Sequence, residues 1–237
     1  MRAILYTKPK EFTVADLPVP QCGPHQVLIR VMACGICKTD LHIHTGNFIS
    51  EFPLTNGHEF AGVIAAVGSE VTEWKTGDRV TADNTELCGY CSACRADKPL
   101  YCENFDSHGC NMPGGFAEYV LINHDKVFGI SDGLSFSQAT FTEPTACAVH
   151  GVDRIAPHFG DSCLMFGAGP TGIILAQLLR LAGVCRFVIA DPNRKKLDIL
   201  KKLGFTDLVL IDRADSSVHT KAIHDLQPQG FDIVIDA

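Results

Sequence analysis

The stretch CLMFGAGPTG, Cys163–Gly172, decides how the second part of this chain is read. Cys163–Phe166 is a short apolar run of strand type. Gly167, Gly169 and Gly172 follow at once in G-x-G-x-x-G spacing, with Pro170 and Thr171 between the last two. A helical pattern then runs over Thr171–Ala182. Ile174, Leu178 and Leu181 make one stripe of it, and Leu175, Leu179 and Ala182 lie beside that stripe. A glycine triplet alone is a weak signal. Set between a strand and a helix, with Asp191 ending the next strand, it reads as a dinucleotide-binding fingerprint. The glycines allow a tight turn and bring a pyrophosphate against the helix N-terminus. Pro170 is tolerated in the first helical turn, where its missing N–H would have no partner anyway. Asp191 is placed to accept hydrogen bonds from the adenosine ribose and to repel a 2′-phosphate, so NAD is the expected cofactor. Arg194, Lys195 and Lys196 close behind leave NADP use open.

Working outward, the alternation continues. Phe187–Ala190 is a second strand, Arg194–Leu203 a helix closed by Gly204, and Leu208–Ile211 a third strand. A weaker helix covers Ser217–Leu226, and Phe231–Ile235 is a fourth strand. Strands alternating with helices predict a parallel, doubly wound sheet. Such a sheet carries six strands in two halves. Here the sequence stops at Ala237, just after the fourth, so a truncated chain is expected.

Upstream of residue 150 the texture changes. Short β-prone runs at Ala3–Tyr6, Gln26–Val31, Gly62–Val67, Arg79–Ala82 and Ala117–Ile122 are separated by Gly, Pro and Asp clusters, which predicts a small antiparallel barrel. Within this region Cys88, Cys91, Cys94 and Cys102 lie close enough in sequence to share one tetrahedral zinc, a closed structural site. A second set, Cys37 in CGICKTDLH, His58 in GHEF and a carboxylate, offers one thiolate, one imidazole and one oxygen. Three protein ligands and an open fourth position describe a catalytic zinc, and a dication with one thiolate and one carboxylate is electrically neutral. Of the eleven cysteines, Cys22, Cys34, Cys110, Cys147, Cys163 and Cys185 read as small buried hydrophobes.

The formal net charge is −7 with no basic run, which argues against a nucleic-acid surface. No secretory leader pattern opens the chain and no apolar stretch is long enough to span a bilayer, so no membrane partner and a cytoplasmic location are expected.

Together, GHEFAGVIAAVG, CGICKTDLH and the four-cysteine lobe resemble the zinc-dependent medium-chain alcohol dehydrogenase family, over the whole chain. Glu143, in TEPTACAVHG, stands where simple alcohol dehydrogenases have a cysteine ligand. In this it resembles the sorbitol, arabinitol and threonine dehydrogenase branch, and MRAILYTKP at the N-terminus looks most like the sugar-alcohol enzymes. The resemblance implies a GroES-like β-barrel catalytic domain over residues 1–148, followed by the first half of a Rossmann doubly wound sheet over 149–237. It implies two zinc ions per chain, one catalytic and one structural. It also implies NAD(P)-linked oxidation of a secondary hydroxyl of a polyol to a ketose, in a cleft between the domains.

By resemblance, Cys37 and His58 are zinc ligands, and Glu59 and Glu143 are the two carboxylates that ligate the metal or hold its water, their division left open. Thr39 takes the substrate proton and His42 passes it on through the cofactor ribose. Asp40 holds the histidine ligand, and Lys38 lies near the cofactor pyrophosphate. The complete protein is expected to be a homodimer or homotetramer. Phe48, Phe105 and His108 are candidate pocket residues. Alternative readings are a simple alcohol or L-threonine dehydrogenase, and a catalytically incompetent chain acting as a zinc-binding or interaction module.

Overall fold

The computed structural model describes residues 1–237, which divide into two compact units, Met1–Glu143 and Pro144–Ala237. In the first unit an antiparallel hairpin joins β1 (Arg2–Lys8) to β2 (Glu11–Asp16). Next come β3 (Gln26–Cys34), α1 (Lys38–Thr45), β4 (Phe60–Val67) and β5 (Arg79–Ala82). A small lobe follows: β6 (Thr85–Glu86), α2 (Ser92–Arg95) and β7 (Asp106–Ser107). The unit closes with β8 (Tyr119–Asn123), β9 (Val127–Gly129) and α3 (Phe136–Ala139). Five strands make one antiparallel sheet in the order β8-β3-β4-β5-β9. Alternate residues of its strands point to one side. Val27, Ile29, Phe60, Ile64, Val80, Val120 and Ile122 build the core there, most of them fully buried.

The helix α4 (Thr142–Ile155) runs across the division. The second unit alternates as its sequence pattern predicts: β10 (Ser162–Phe166), α5 (Pro170–Leu181), β11 (Arg186–Asp191), α6 (Arg194–Lys202), β12 (Asp207–Leu210), α7 (Ser216–Leu226) and β13 (Ile233–Asp236). The strands are parallel, in the order β12-β11-β10-β13. Both faces of β10 and β11 are covered, which is why these strands are apolar without alternation. Cys163, Met165 and Ile189 pack under Leu175, Ala176 and Leu179 of α5 and Leu197 and Leu200 of α6. On the opposite face Leu164, Val188 and Ala190 meet Val209 and Ile223.

Two details depart from the sequence reading. On α5 the buried stripe is Gly172, Leu175, Ala176 and Leu179, whereas Leu181 is 82% exposed. Leu181 lies two residues, about 200° of helix rotation, beyond buried Leu179, so it faces away from the core that Leu179 and Val184 enter. Cys147 and Cys185 are exposed rather than buried: Cys185 sits in the turn entering β11, where its thiol donates to the Gly160 carbonyl. In keeping with that reading, the fourth strand β13 lies at the sheet edge, where Val234 is 65% exposed. No helix is long and apolar enough to cross a membrane.

Candidate functional site

The first site grows from the end of β3. The chain leaves Cys34, turns through Gly35 and Ile36, and enters α1 with Cys37 as N-cap in extended geometry. Asp40, three residues on, accepts a hydrogen bond from the Cys37 backbone N–H at 2.8 Å. That carboxylate satisfies a helix-start donor and fixes the direction of the cysteine side chain. On the neighbouring strand His58 and Glu59 immediately precede β4. The Gly35 N–H donates to the Glu59 carbonyl at 2.8 Å, which locks the two segments side by side.

The ligand atoms of Cys37, His58 and Glu59 consequently lie within 4.8 Å of one another. Gly35 makes room for this: a Cβ there would fall 2.1 Å from Glu59 Oε2. Glu143 is the second residue of α4. It acts electrostatically on both His58 and Glu59, but it does not join the close trio.

The electrostatics of this cluster are those of a cation site. Burial disfavours the charged form of His58, yet the Cys37 hydrogen bond and the carboxylates of Asp40 and Glu143 outweigh it and hold its pKa up at about 9. The His58 hydrogen bond pulls the Cys37 thiol below its ordinary range, against burial. Burial pushes Glu59 and Asp40 up. His58 Nδ1 and Asp40 Oδ1 are both buried without a hydrogen-bond partner, and they face one another at 3.8 Å. Closing that gap would place the imidazole proton on Nδ1 and leave Nε2 as a lone-pair donor. A thiolate, an imidazole and a carboxylate at this spacing fit zinc.

Thr39 and His42 occupy one face of α1, one turn apart, both half-buried, and Thr39 Oγ1 lies 3.6 Å from Cys37 Sγ. Lys38 is exposed on the same helix. Phe48 and Phe105 are partly exposed. His108 is instead buried, hydrogen-bonded to the Pro113 carbonyl at 2.9 Å and to Glu86 at 3.3 Å. The sequence reading placed Cys110 only among the small buried hydrophobes, with no role at this centre. Burial raises its pKa, and the negative charges of Asp40, Cys37 and Glu143 add to that, so it lies near the same centre. Nothing in the spacing of Cys110 from Cys37 announces this proximity.

The second site is the lobe between β6 and β7. Cys91 caps α2, Cys94 lies within it, and a short 3₁₀ turn, Pro99–Tyr101, delivers Cys102. All four sulfurs are within 4.8 Å of one another. Backbone amides point at them: Cys91 N–H to Cys88 Sγ at 3.4 Å, Cys94 N–H to Cys91 Sγ at 3.5 Å, and Cys88 N–H to Cys102 Sγ at 3.5 Å. Burial opposes a Cys88 thiolate, but the amides of Tyr90 and Cys91 outweigh it and bring the pKa to about 6. Burial and neighbouring sulfurs push Cys94 up to about 12. Four crowded sulfurs cannot all ionise unaided, and a shared dication removes that conflict. The donor set fits a tetrahedral structural zinc.

The third site lies in the second unit, at the start of α5. Gly167 sits at φ 105°, and a Cβ on it would fall 2.0 Å from the Ala237 carbonyl oxygen. A Cβ on Gly172 would come within 2.4 Å of the Gly167 oxygen, so this glycine lets α5 approach the loop. A Cβ on Gly169 would touch nothing. Space is kept open there at the helix N-terminus, where Gly169 is the N-cap without a side-chain acceptor and Pro170 and Thr171 begin the helix. Free amide donors facing an open space suit a pyrophosphate, and the loop fits a dinucleotide. Asp191 is 3% exposed. Its Oδ2 accepts from Ala168 N–H at 2.8 Å and its Oδ1 from Asn193 N–H at 2.7 Å.

Comparisons with known proteins bear on all three sites. Residues 23–132 match the alcohol dehydrogenase GroES-like domain. The chain is 44% identical over 238 residues to D-arabinitol dehydrogenase 1 of Uromyces fabae, covering 100% of this chain and 68% of that protein. It is 34% identical over 228 residues to sorbitol dehydrogenase of Bacillus subtilis (strain 168), covering 94% of this chain and 65% of the relative. A crystal structure of a zinc-binding dehydrogenase from Sinorhizobium meliloti 1021, bound to NADP, superposes with a TM-score of 0.92 at 34% identity. That superposition covers 100% of this chain and 69% of that one.

Proposed function

The chain belongs to the zinc-dependent medium-chain alcohol dehydrogenase family, and from that membership we propose that it oxidises a secondary hydroxyl of a polyol to the ketone while reducing NAD(P)⁺. The observation that carries this reading is the convergence of Cys37, His58 and Glu59 ligand atoms beside the buried, unpartnered His58–Asp40 pair. When bound, zinc supplies a Lewis acid that lowers the pKa of a substrate hydroxyl, and NAD(P)⁺ supplies the hydride acceptor.

The remaining work falls to side chains of the chain itself. Cys37, His58 and Glu59 hold the catalytic ion, with Glu143 in electrostatic reach. Asp40 is a positioning residue that orients the His58 imidazole. Thr39 takes the substrate hydroxyl proton, and His42, one turn along the same helix face, carries it toward solvent. Cys88, Cys91, Cys94 and Cys102 hold the structural ion. Gly167, Gly169, Pro170, Thr171 and Gly172 bind the pyrophosphate. The names of the relatives support a sugar alcohol as substrate. Four free thiols sharing one ion support a reducing, cytoplasmic setting.

The test is steady-state reduction of NAD(P)⁺ with D-arabinitol, sorbitol and xylitol, set against L-threonine and ethanol. Turnover of at least one polyol above the other two classes is expected, and the opposite ranking sinks the substrate reading. Cys37→Ser is expected to lower that turnover by about 10³-fold or more, with the melting temperature little changed.

A further inference from the structure

We propose that His25 and His124 form a third metal site, a two-imidazole chelate at the surface of the first unit for a transition-metal dication such as Ni²⁺ or Zn²⁺. It is separate from both zinc sites and independent of the polyol oxidation proposed above.

The sheet brings the pair together. His25 immediately precedes β3 and His124 immediately follows β8, and these strands are antiparallel neighbours with Gln26 opposite Asn123. One step further along, His25 stands opposite His124, and the His124 N–H donates to the His25 carbonyl at 3.0 Å. Residues directly opposite in such a ladder put their side chains on the same face, close enough to interact. The two rings accordingly lie with centroids 5.9 Å apart and planes inclined by 32°. Cys37 lies beyond the other end of β3, and the nine residues of that strand span about 26 Å.

Glu73 orients one of the rings, its Oε1 hydrogen-bonded to His124 Nδ1. A carboxylate only accepts, so Nδ1 carries a proton and, in the neutral ring, Nε2 keeps its lone pair, the arrangement of a metal-ligating histidine. The His25 ring is exposed and takes part in no hydrogen bond or ion pair. An ion about 2.0 Å from one nitrogen of each ring holds the centroids about 5 Å apart, so a rotation of the exposed His25 side chain closes the site. Imidazole nitrogen selects nickel, copper and zinc over calcium and magnesium. Two protein ligands leave the other positions to water, which makes this ion exchangeable where the four-thiolate ion is enclosed.

The chain carries its own reporter. Trp74 is its only tryptophan, and the indole N–H donates to the His124 carbonyl at 3.1 Å. The experiment is titration of the zinc-loaded full chain with Ni²⁺ while Trp74 emission is followed. Quenching is expected to saturate at one equivalent, with no zinc released. His25→Ala and His124→Ala should each weaken Ni²⁺ binding by about tenfold or more, since loss of even an orienting partner costs that much. His25→Gln should do the same while keeping the zinc content and melting temperature of the wild type, which separates loss of the site from loss of the fold. His158→Ala, in the second unit, should leave binding intact, and Mg²⁺ should not quench. Quenching that is absent, fails to saturate, survives His25→Gln, falls equally with His158→Ala, is matched by Mg²⁺ or tracks zinc release overturns the assignment.

Discussion

Gly35 is the residue whose role the sequence hides best. It stands between Cys34 and Cys37, and its missing side chain is the space that Glu59 occupies. Gly35→Ala places a methyl group 2.1 Å from Glu59 Oε2. The obstructed atom is the end of a flexible side chain, so the carboxylate swings away and the fold loses little, less than about 1.5 kcal/mol. Zinc affinity at Cys37 and His58 should fall by about tenfold or more, read by competition with a chromophoric chelator. Unchanged affinity would separate Glu59 from the metal.

His58 sets a pH dependence at the same centre. Its pKa of about 9 means that the metal-free imidazole carries a proton at neutral pH, which zinc must displace. Apparent affinity should therefore rise with pH, about tenfold per unit for this one proton, and level off above about pH 9. Proton release measured in two buffers of different ionisation enthalpy checks the sign. Proton uptake on binding is the result that contradicts it.

At the scale of elements, the lobe between β6 and β7 has almost no regular structure and few apolar contacts of its own. Its strands are two residues each, and α2 is four residues long. Ordering such a segment costs conformational entropy that a small core does not offset, so the shared ion must hold it. Cys91→Ser should lower the melting temperature on the order of 10 °C. Chelation of the wild-type protein should open the segment around residues 87–104 to limited proteolysis. Persistence of the intact lobe after complete metal removal argues against this account.

The helix α5 is the opposite case. Leu175, Ala176 and Leu179 are packed against β10, and Gly172 admits the helix to the loop. Its existence and its glycine fingerprint were legible because strand, turn and helix are contiguous in sequence. Its buried stripe was legible only in part, since a helix rich in leucine offers several apolar stripes and only packing selects the one through Leu175 and Leu179 over Leu181. The short helices α1 and α3, the strand β2 and the long α4 went unread: α1 mixes polar and apolar residues without a clear stripe, and β2 is almost wholly exposed.

For the molecule as a whole, the relevant fact is that each unit owns a core. The first is built from Val27, Ile29, Phe60 and Ile64, the second from Cys163, Met165, Leu179 and Ile189. The metal candidates fall in the first unit and the glycine loop in the second. Calorimetric unfolding should therefore show two transitions that respond to different ligands. Chelation should lower only the transition of Met1–Glu143. Adenine nucleotide at a hundredfold excess over its Kd should raise only the other, by about 2.7 kcal/mol. A single transition moved equally by both treatments would refute the separation.

The sequence by itself determined the chemistry and the strand–helix order. Cysteine spacing, GHE and G-x-G-x-x-G are local patterns, and local patterns survive without coordinates. Only the tertiary structure shows that the Glu59 carboxylate, rather than that of Glu143, comes within 4.8 Å of the Cys37 and His58 ligand atoms, because that depends on β4 being laid beside the end of β3. The same holds for Cys110, brought near that centre by a turn far along the chain, and for Asp191, whose charge is spent on backbone amides that no one-dimensional pattern reveals. Proximity between distant residues follows from the packing of whole elements, and a sequence read without that packing records which groups are present but not which of them meet.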